Sequence, residues 1–291
     1  MNARLGLLIL FASVSIHSVA ADYTHDVAKW IKFERPSDLS SREYETFMHS
    51  ANYSRSEWVV SRDGDRVSVQ IAQEVKPKFK EPEFSLSAGE PAKRMKAAKR
   101  FLRVDDGWLV GYNAGEFGAS LWWFSTDGTA HYKISGHFIN QFITTRHGIF
   151  AVEGLAHLSM TQGSMIQLIR ESGKWTSKTV AALPQAAEAV AVLPDEAFVV
   201  VTTDMLLRIT PEREVCILVS NGDWGTLYPN SVAVSPVGRI YIGMRQFVVA
   251  HDLSDKDQKP QFLVPGRSFL HVEKWCFPLF HLVPKNSGTR V

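Results

Sequence analysis

Five short turns recur along the chain at nearly even spacing, each between two apolar runs. They are Arg62-Asp63-Gly64, Asp105-Asp106-Gly107, Arg146-His147-Gly148, Pro194-Asp195-Glu196 and Ser235-Pro236-Val237-Gly238. Their last residues, 64, 107, 148, 196 and 238, lie 43, 41, 48 and 42 residues apart. A period of that size suits four strands and their turns better than helical or leucine-rich repeats. The register therefore predicts an all-β chain folded as a β-propeller of four-stranded blades. Five repeats are legible. Pairing N-terminal residues with the C-terminal end yields a sixth blade and removes exposed sheet edges.

The runs on either side of the turns have strand composition. In the second repeat they are 100–104, 108–112, 121–125 and 131–134; in the third, 142–145, 149–153, 165–170 and 175–181. The fourth reads as 189–193, 198–202, 206–210 and 215–219, and the fifth as 232–234, 240–244, 247–253 and 261–264. Val, Ile, Thr and aromatic residues fill these runs, while Gly, Pro, Asp and Asn fill the gaps. The first repeat shows only 58–60 and 67–71 around its turn. Repeats thus occupy 56–265, preceded by a segment 22–55 and followed by a tail 266–291. Within 22–55, Ser40-Ser41-Arg42-Glu43 fits a capping box, with Tyr44, Phe47 and Met48 at helical spacing behind it.

Residues 1–21 have the layout of a signal peptide: Arg4, an apolar stretch from Leu5 to Ile16, then Ser18-Val19-Ala20 before the cleavage point. A stretch of 12 residues falls short of the ~18 needed to span a bilayer. A secreted or periplasmic protein with no membrane span is expected. The formal charge of +2 gives no electrostatic footing for nucleic acid. One segment departs from this balance: residues 76–100 carry eight Lys or Arg against three Glu, and read as a solvated basic insertion. Cys216 and Cys276 are the only cysteines; in an oxidising compartment they either form one disulfide or stay buried as thiols.

In a propeller, the loops between blades and those between second and third strands share one face, opposite the short turns. Eight residues before each turn lie Ser56, Lys99, Asn140, Glu188 and Asn230, all polar in a chain that is 45% hydrophobic. Any water-filled channel favours such a ring. Convergence of Asn140, Glu188 and Asn230 on a ligand is the sharper reading, and oxygen donors at Asn230 and Glu188 suit a divalent cation such as Ca2+ or Mg2+. The same face receives Glu116 and His157, candidate acid and base if the protein is an enzyme. It also receives Asp223, Trp224 and Arg245, with Arg245 suited to clamping a carboxylate or phosphate. A nucleophile elbow, a phosphate-binding glycine loop and a zinc-peptidase motif are all missing from the sequence.

The run Tyr228-Pro229-Asn230-Ser231-Val232-Ala233-Val234-Ser235-Pro236-Val237-Gly238-Arg239-Ile240-Tyr241 resembles a blade of NHL-type and gluconolactonase-family propellers. In the latter the resemblance implies a metal-binding role for Asn230. The motifs Gly-Glu-Phe-Gly at 115–118 and Gly-Leu-Ala-His-Leu at 154–158 are similar to those of secreted bacterial propellers of uncharacterised function. The leading expectation is a propeller that binds a ligand or protein partner on its upper face. The alternatives are a metal-assisted lactonase or esterase-like hydrolase and a pure scaffold. N-terminal sequencing of the mature protein should start at Ala21 or Asp22; an intact Met1 on cytoplasmic protein would refute export.

Overall fold

The computed structural model describes residues 25–270, apart from 37, 76–80, 87–96, 159 and 256–257. The signal segment 1–21, Cys276 and most of the basic insertion lie outside the described residues; Cys216 is exposed on the outer strand of its sheet.

The chain is all-β, built of antiparallel sheets in sequence order. A short strand β1 (Ile31–Lys32) and one helix, α1 (Arg42–Asn52), precede a two-stranded hairpin of β2 (Trp58–Asp63) and β3 (Arg66–Ile71). The second sheet holds β4 (Ala98–Val104), β5 (Gly107–Asn113), β6 (Ala119–Ser125) and β7 (His131–Ser135). The third holds β8 (Ile139–Thr145), β9 (Gly148–His157), β10 (Met160–Glu171) and β11 (Lys174–Leu183). The fourth comprises β12 (Ala187–Val192), β13 (Phe198–Thr202), β14 (Leu206–Ile209) and β15 (Val215–Val219). The fifth comprises β16 (Ser231–Val234), β17 (Arg239–Gly243), β18 (Val248–Asp252) and β19 (Gln261–Val264), extended by β1 on its outer edge. Five sheets, rather than six, form among the described residues. The N-terminal strand widens the fifth instead of founding another, pairing Ile31 with Val264 and Lys32 with Leu263.

First strands pack side by side, β4 on β8, β8 on β12, β12 on β16 and β16 on β2, so the sheets follow one another like blades. Each sheet interface has its own apolar core. Leu109, Leu121, Ile139 and Ile166 fill that between second and third sheets, and Phe150, Met165, Phe198 and Leu207 that between third and fourth. Val201, Trp224, Ile242 and Phe247 fill that between fourth and fifth sheets, where α1 contributes Ala51, Phe47 and Met48. Trp58, Val69, Tyr241 and Val248 join the fifth sheet to the first hairpin. Helix α1 starts one residue later than the capping box places it: Ser41 Oγ accepts from Tyr44 N at 3.3 Å, while Ser40 is tied to Asp38.

The free face of the second sheet is covered from an unexpected source. On β5 the pleat turns Leu109 toward the third sheet and Trp108, Val110 and Tyr112 the other way. Over them lie Phe84 and Leu86 from within the segment read as a solvated insertion. In residues 81–86, Pro82, Phe84 and Leu86 are half-buried while Glu81, Glu83 and Ser85 are exposed. Leu86 O accepts from Tyr112 Oη at 3.3 Å, and burial pushes that phenol up to about 12. The charge excess of 76–100 thus hides an apolar strap with a period of two.

Close approach of blades near the axis leaves no room for side chains at certain points. A Cβ on Gly243 would stand 2.4 Å from Trp58 O and from Ser231 Oγ, and one on Gly154 would stand 2.6 Å from Ala186 Cα. Because the obstructing atoms include backbone, Gly243→Ala should cost about 1–3 kcal/mol in urea unfolding. Gly136→Ala, where the added carbon meets nothing within 4 Å, should stay within about 0.5 kcal/mol of the parent. Equal stability of the two variants would show that the sheets can move apart at this point.

Candidate functional site

Bulges decide which side chains reach the mouth of the ring. The ladder between β8 and β9 steps from Ile139 to Gln141, and that between β12 and β13 from Ala187 to Ala189. Asn140 and Glu188 are the residues skipped, one at the same point in each of two consecutive sheets. A bulge re-aims the side chain it carries. The first hairpin and the second sheet have no such bulge, so the alternation there differs by one. Arg100 and Glu57 meet Asn140 and Asn230. The expected Lys99 and Ser56 do not.

Asn140 ties three sheets together. Its Nδ2 donates to Ala187 O at 2.6 Å, its Oδ1 accepts from Asn113 Nδ2 at 2.9 Å, and its carbonyl accepts Arg100 Nε at 2.7 Å. Next to it, Gln141 acts as a short piece of strand: Nε2 donates to Val190 O and Oε1 accepts from Val190 N, both at 3.1 Å. Glu188 faces Arg100 electrostatically and has no hydrogen-bond partner among the described residues. Burial raises its carboxyl from an ordinary 4.5 to about 7, against the opposing pull of Arg100. Desolvation lowers the Arg100 guanidinium, against the opposing pull of Glu188.

Asn230 lies at the fifth sheet. Its Nδ2 donates to Glu57 Oε1 at 3.0 Å and its Oδ1 accepts from Ser231 Oγ at 2.8 Å. Arg245 lies over the Tyr228 ring at 4.2 Å and donates through Nη1 to Asn52 O at 2.8 Å and Asn52 Oδ1 at 3.0 Å. Asp223 accepts from Arg35 Nη1 at 2.7 Å, and Arg35 in turn covers the Phe262 ring. Trp224 is fully buried, donating to Thr202 O at 3.4 Å within the core between fourth and fifth sheets, and presents no surface to a ligand. The amide oxygens of Asn140 and Asn230 each accept one hydrogen bond, and no group of three or more His, Cys, Asp or Glu side chains placed to hold a metal ion occurs among the described residues.

Glu116 and His157 do come together. Glu116 lies in a 3-10 turn, Gly115–Phe117, whose N–H at Gly115 is capped by Asn113 Oδ1 at 2.9 Å. His157 ends β9, and its Nε2 stands 2.7 Å from Glu116 Oε2, with 36% of the imidazole and 43% of the carboxylate side chain exposed. Around them project Phe117, 64% exposed, Leu158, 94%, and Met160, 61%. Leu158 holds φ at 53°, a region that branched apolar residues seldom occupy. The opposite end of the ring has its own contacts: Glu196 accepts from both Arg146 and His147, bringing the third and fourth turns together.

Sequence reasoning missed Asn52, Glu57, Arg100 and Asn113. Arg100 and Glu57 were within reach, one position beyond the even offset, had the bulges been known. Asn52 carries no local signal, since it comes from α1.

The half-buried Glu188 carboxyl, with its raised pKa, binds its proton more tightly when folded, so its contribution weakens stability as pH rises from about 4.5 to about 7. Glu188→Gln should remove that slope and gain about 1–3 kcal/mol at pH 8. Parallel urea midpoints for parent and variant across this window would show that Glu188 ionises freely.

No protein-family model matches the chain, and no curated protein matches its sequence; the resemblance of 228–241 to NHL and gluconolactonase blades gains no support from either. Solved structures do match in part. Streptogramin B lyase aligns at 10% identity and a TM-score of 0.36, covering 57% of each chain. YCF48 bound to a D1 peptide aligns at 9% and 0.35, over 84% of this chain and 72% of its own. PorZ, a surface component of the type-IX secretion system of Porphyromonas gingivalis, aligns at 8% and 0.41, over 72% of this chain and 33% of its own. The extracellular domain of BT4673 from B. thetaiotaomicron aligns at 14% and 0.35, over 56% of this chain, which spans only 21% of that one.

Proposed function

We propose that the protein is an exported binding propeller whose upper face receives a protein partner at the tip of hairpin β9–β10. The observation that carries this reading is the projecting apolar tip. Pairing with β8 ends at Glu153 and pairing with β11 ends at Gly163, so the strand ladder of Leu155–His157 with Met160–Gln162 continues beyond the neighbouring strands. Leu158 and Met160 crown it, and the His157–Glu116 contact braces it against the turn that carries Phe117. Apolar side chains held rigidly outward and rimmed by polar groups are what a partner surface needs. Export follows from the 1–21 signal; no helix among the described residues is long and apolar enough to cross a membrane.

A second reading, a lactonase or esterase-like hydrolase, draws on one observation, the imidazole oriented by a carboxylate at 2.7 Å. Such a pair is the arrangement a general base uses.

A photocrosslinker at position 158 should give a discrete protein adduct in cells. Leu158→Asp with Met160→Asp should reduce capture at least about tenfold, since each buried apolar side chain contributes roughly 1.5–3 kcal/mol, while thermal unfolding stays unchanged. Adducts from position 147 on the opposite end, with none from 158, would overturn the assignment. Lactone or ester turnover lost in His157→Ala and kept in the Asp double variant would select the hydrolase.

A further inference from the structure

A cavity of ≈ 350 Å3 opens beside the end of α1, lined by Asn52, Tyr53, Ser54, Arg55, Glu57, Gln73 and Arg245, of which Tyr53 and Arg55 have interactions of their own. Glu57 and Arg245 face each other across an isolated antiparallel bridge, which sends their side chains to the same side. They nonetheless hold different partners. Arg245 is pinned through Nη1 to Asn52 and stacked on Tyr228. Glu57 is held through Oε1 by Asn230 Nδ2. Arg245 Nε and Nη2 and Glu57 Oε2 keep no partner among the described residues.

Backbone strain flanks Arg245: Tyr228, whose ring it covers, has φ 54°, and Gln246, next in sequence, has φ 66°. Gln246, 3% exposed, is locked there by Ser54 Oγ at 2.6 Å and by its own donation to Phe269 O. Non-glycine residues in this region cost of order 1–3 kcal/mol each and persist where surrounding contacts hold them, often at binding sites.

We infer that this cavity binds a free α-amino acid, its carboxylate on Arg245 and its ammonium on Glu57. A simple anion would leave the Glu57 oxygen unmatched, and a simple cation would leave the guanidinium edge unmatched; a zwitterion satisfies both. Arg presents two parallel donors that fit a carboxylate, and the volume is in the small-molecule range. The site is separate from the β9–β10 tip, so its failure leaves the partner reading intact.

The test is isothermal titration of the full mature chain with each of the common L-amino acids, and with the N-acetyl and carboxamide forms of any that binds. Saturable binding of at least one free amino acid is expected, weakened about tenfold or more by either blocking group and by Arg245→Gln or Glu57→Gln. If a variant fails to fold, the blocked ligands on wild-type protein decide. No saturable binding up to roughly 10 mM, a regime of about 3 kcal/mol, or binding indifferent to acetylation or amidation, would overturn the proposal. Binding unchanged in folded variants would do the same.

Discussion

Sheets stacked on one another leave the first strand of each with an edge that no further strand covers, and this edge governs much of the structure. Unpaired backbone groups there must find partners or water. Gln141 lends its side-chain amide to Val190 as a one-residue strand, and Ser231 Oγ accepts from Val60 N at 2.9 Å. Asn140 spends both amide atoms on neighbouring sheets. Polar residues near the axis thus serve first as inter-blade fasteners, which explains why most of a polar ring need not be a ligand site.

What remains after that accounting is a short set of unspent groups. Among the described residues Glu188 keeps a carboxyl without hydrogen bonds, Arg245 and Glu57 keep one side each, and the β9–β10 tip keeps its apolar crown. These differ in chemistry and in place.

Turn chemistry made the blade pattern readable. Asp-Asp-Gly and Arg-His-Gly close two-residue hairpins locally, so strand positions around 105 and 146 follow from neighbouring residues alone. The site was less legible because its alternation depends on bulges at Asn140 and Glu188, and nothing in Ile139-Asn140-Gln141 marks an extra residue. Asn52 and Glu57 reach Arg245 and Asn230 only through folding across some 190 and 170 positions of sequence. The strap is written in the sequence, since Pro82, Phe84 and Leu86 alternate with polar residues, but the lysines on both sides dominate the segment's composition and mask that period.

The pairing of β1 with β19 joins residue 31 to residue 264. Contacts so distant along the chain close late, since the loop must be shut before they are gained. A chain emerging N-terminus first would present its clasp at once and keep it idle until the final blade arrived. Loss of a few residues at the far end, after Arg239 and before Val264, would then release the beginning of the molecule as surely as its end.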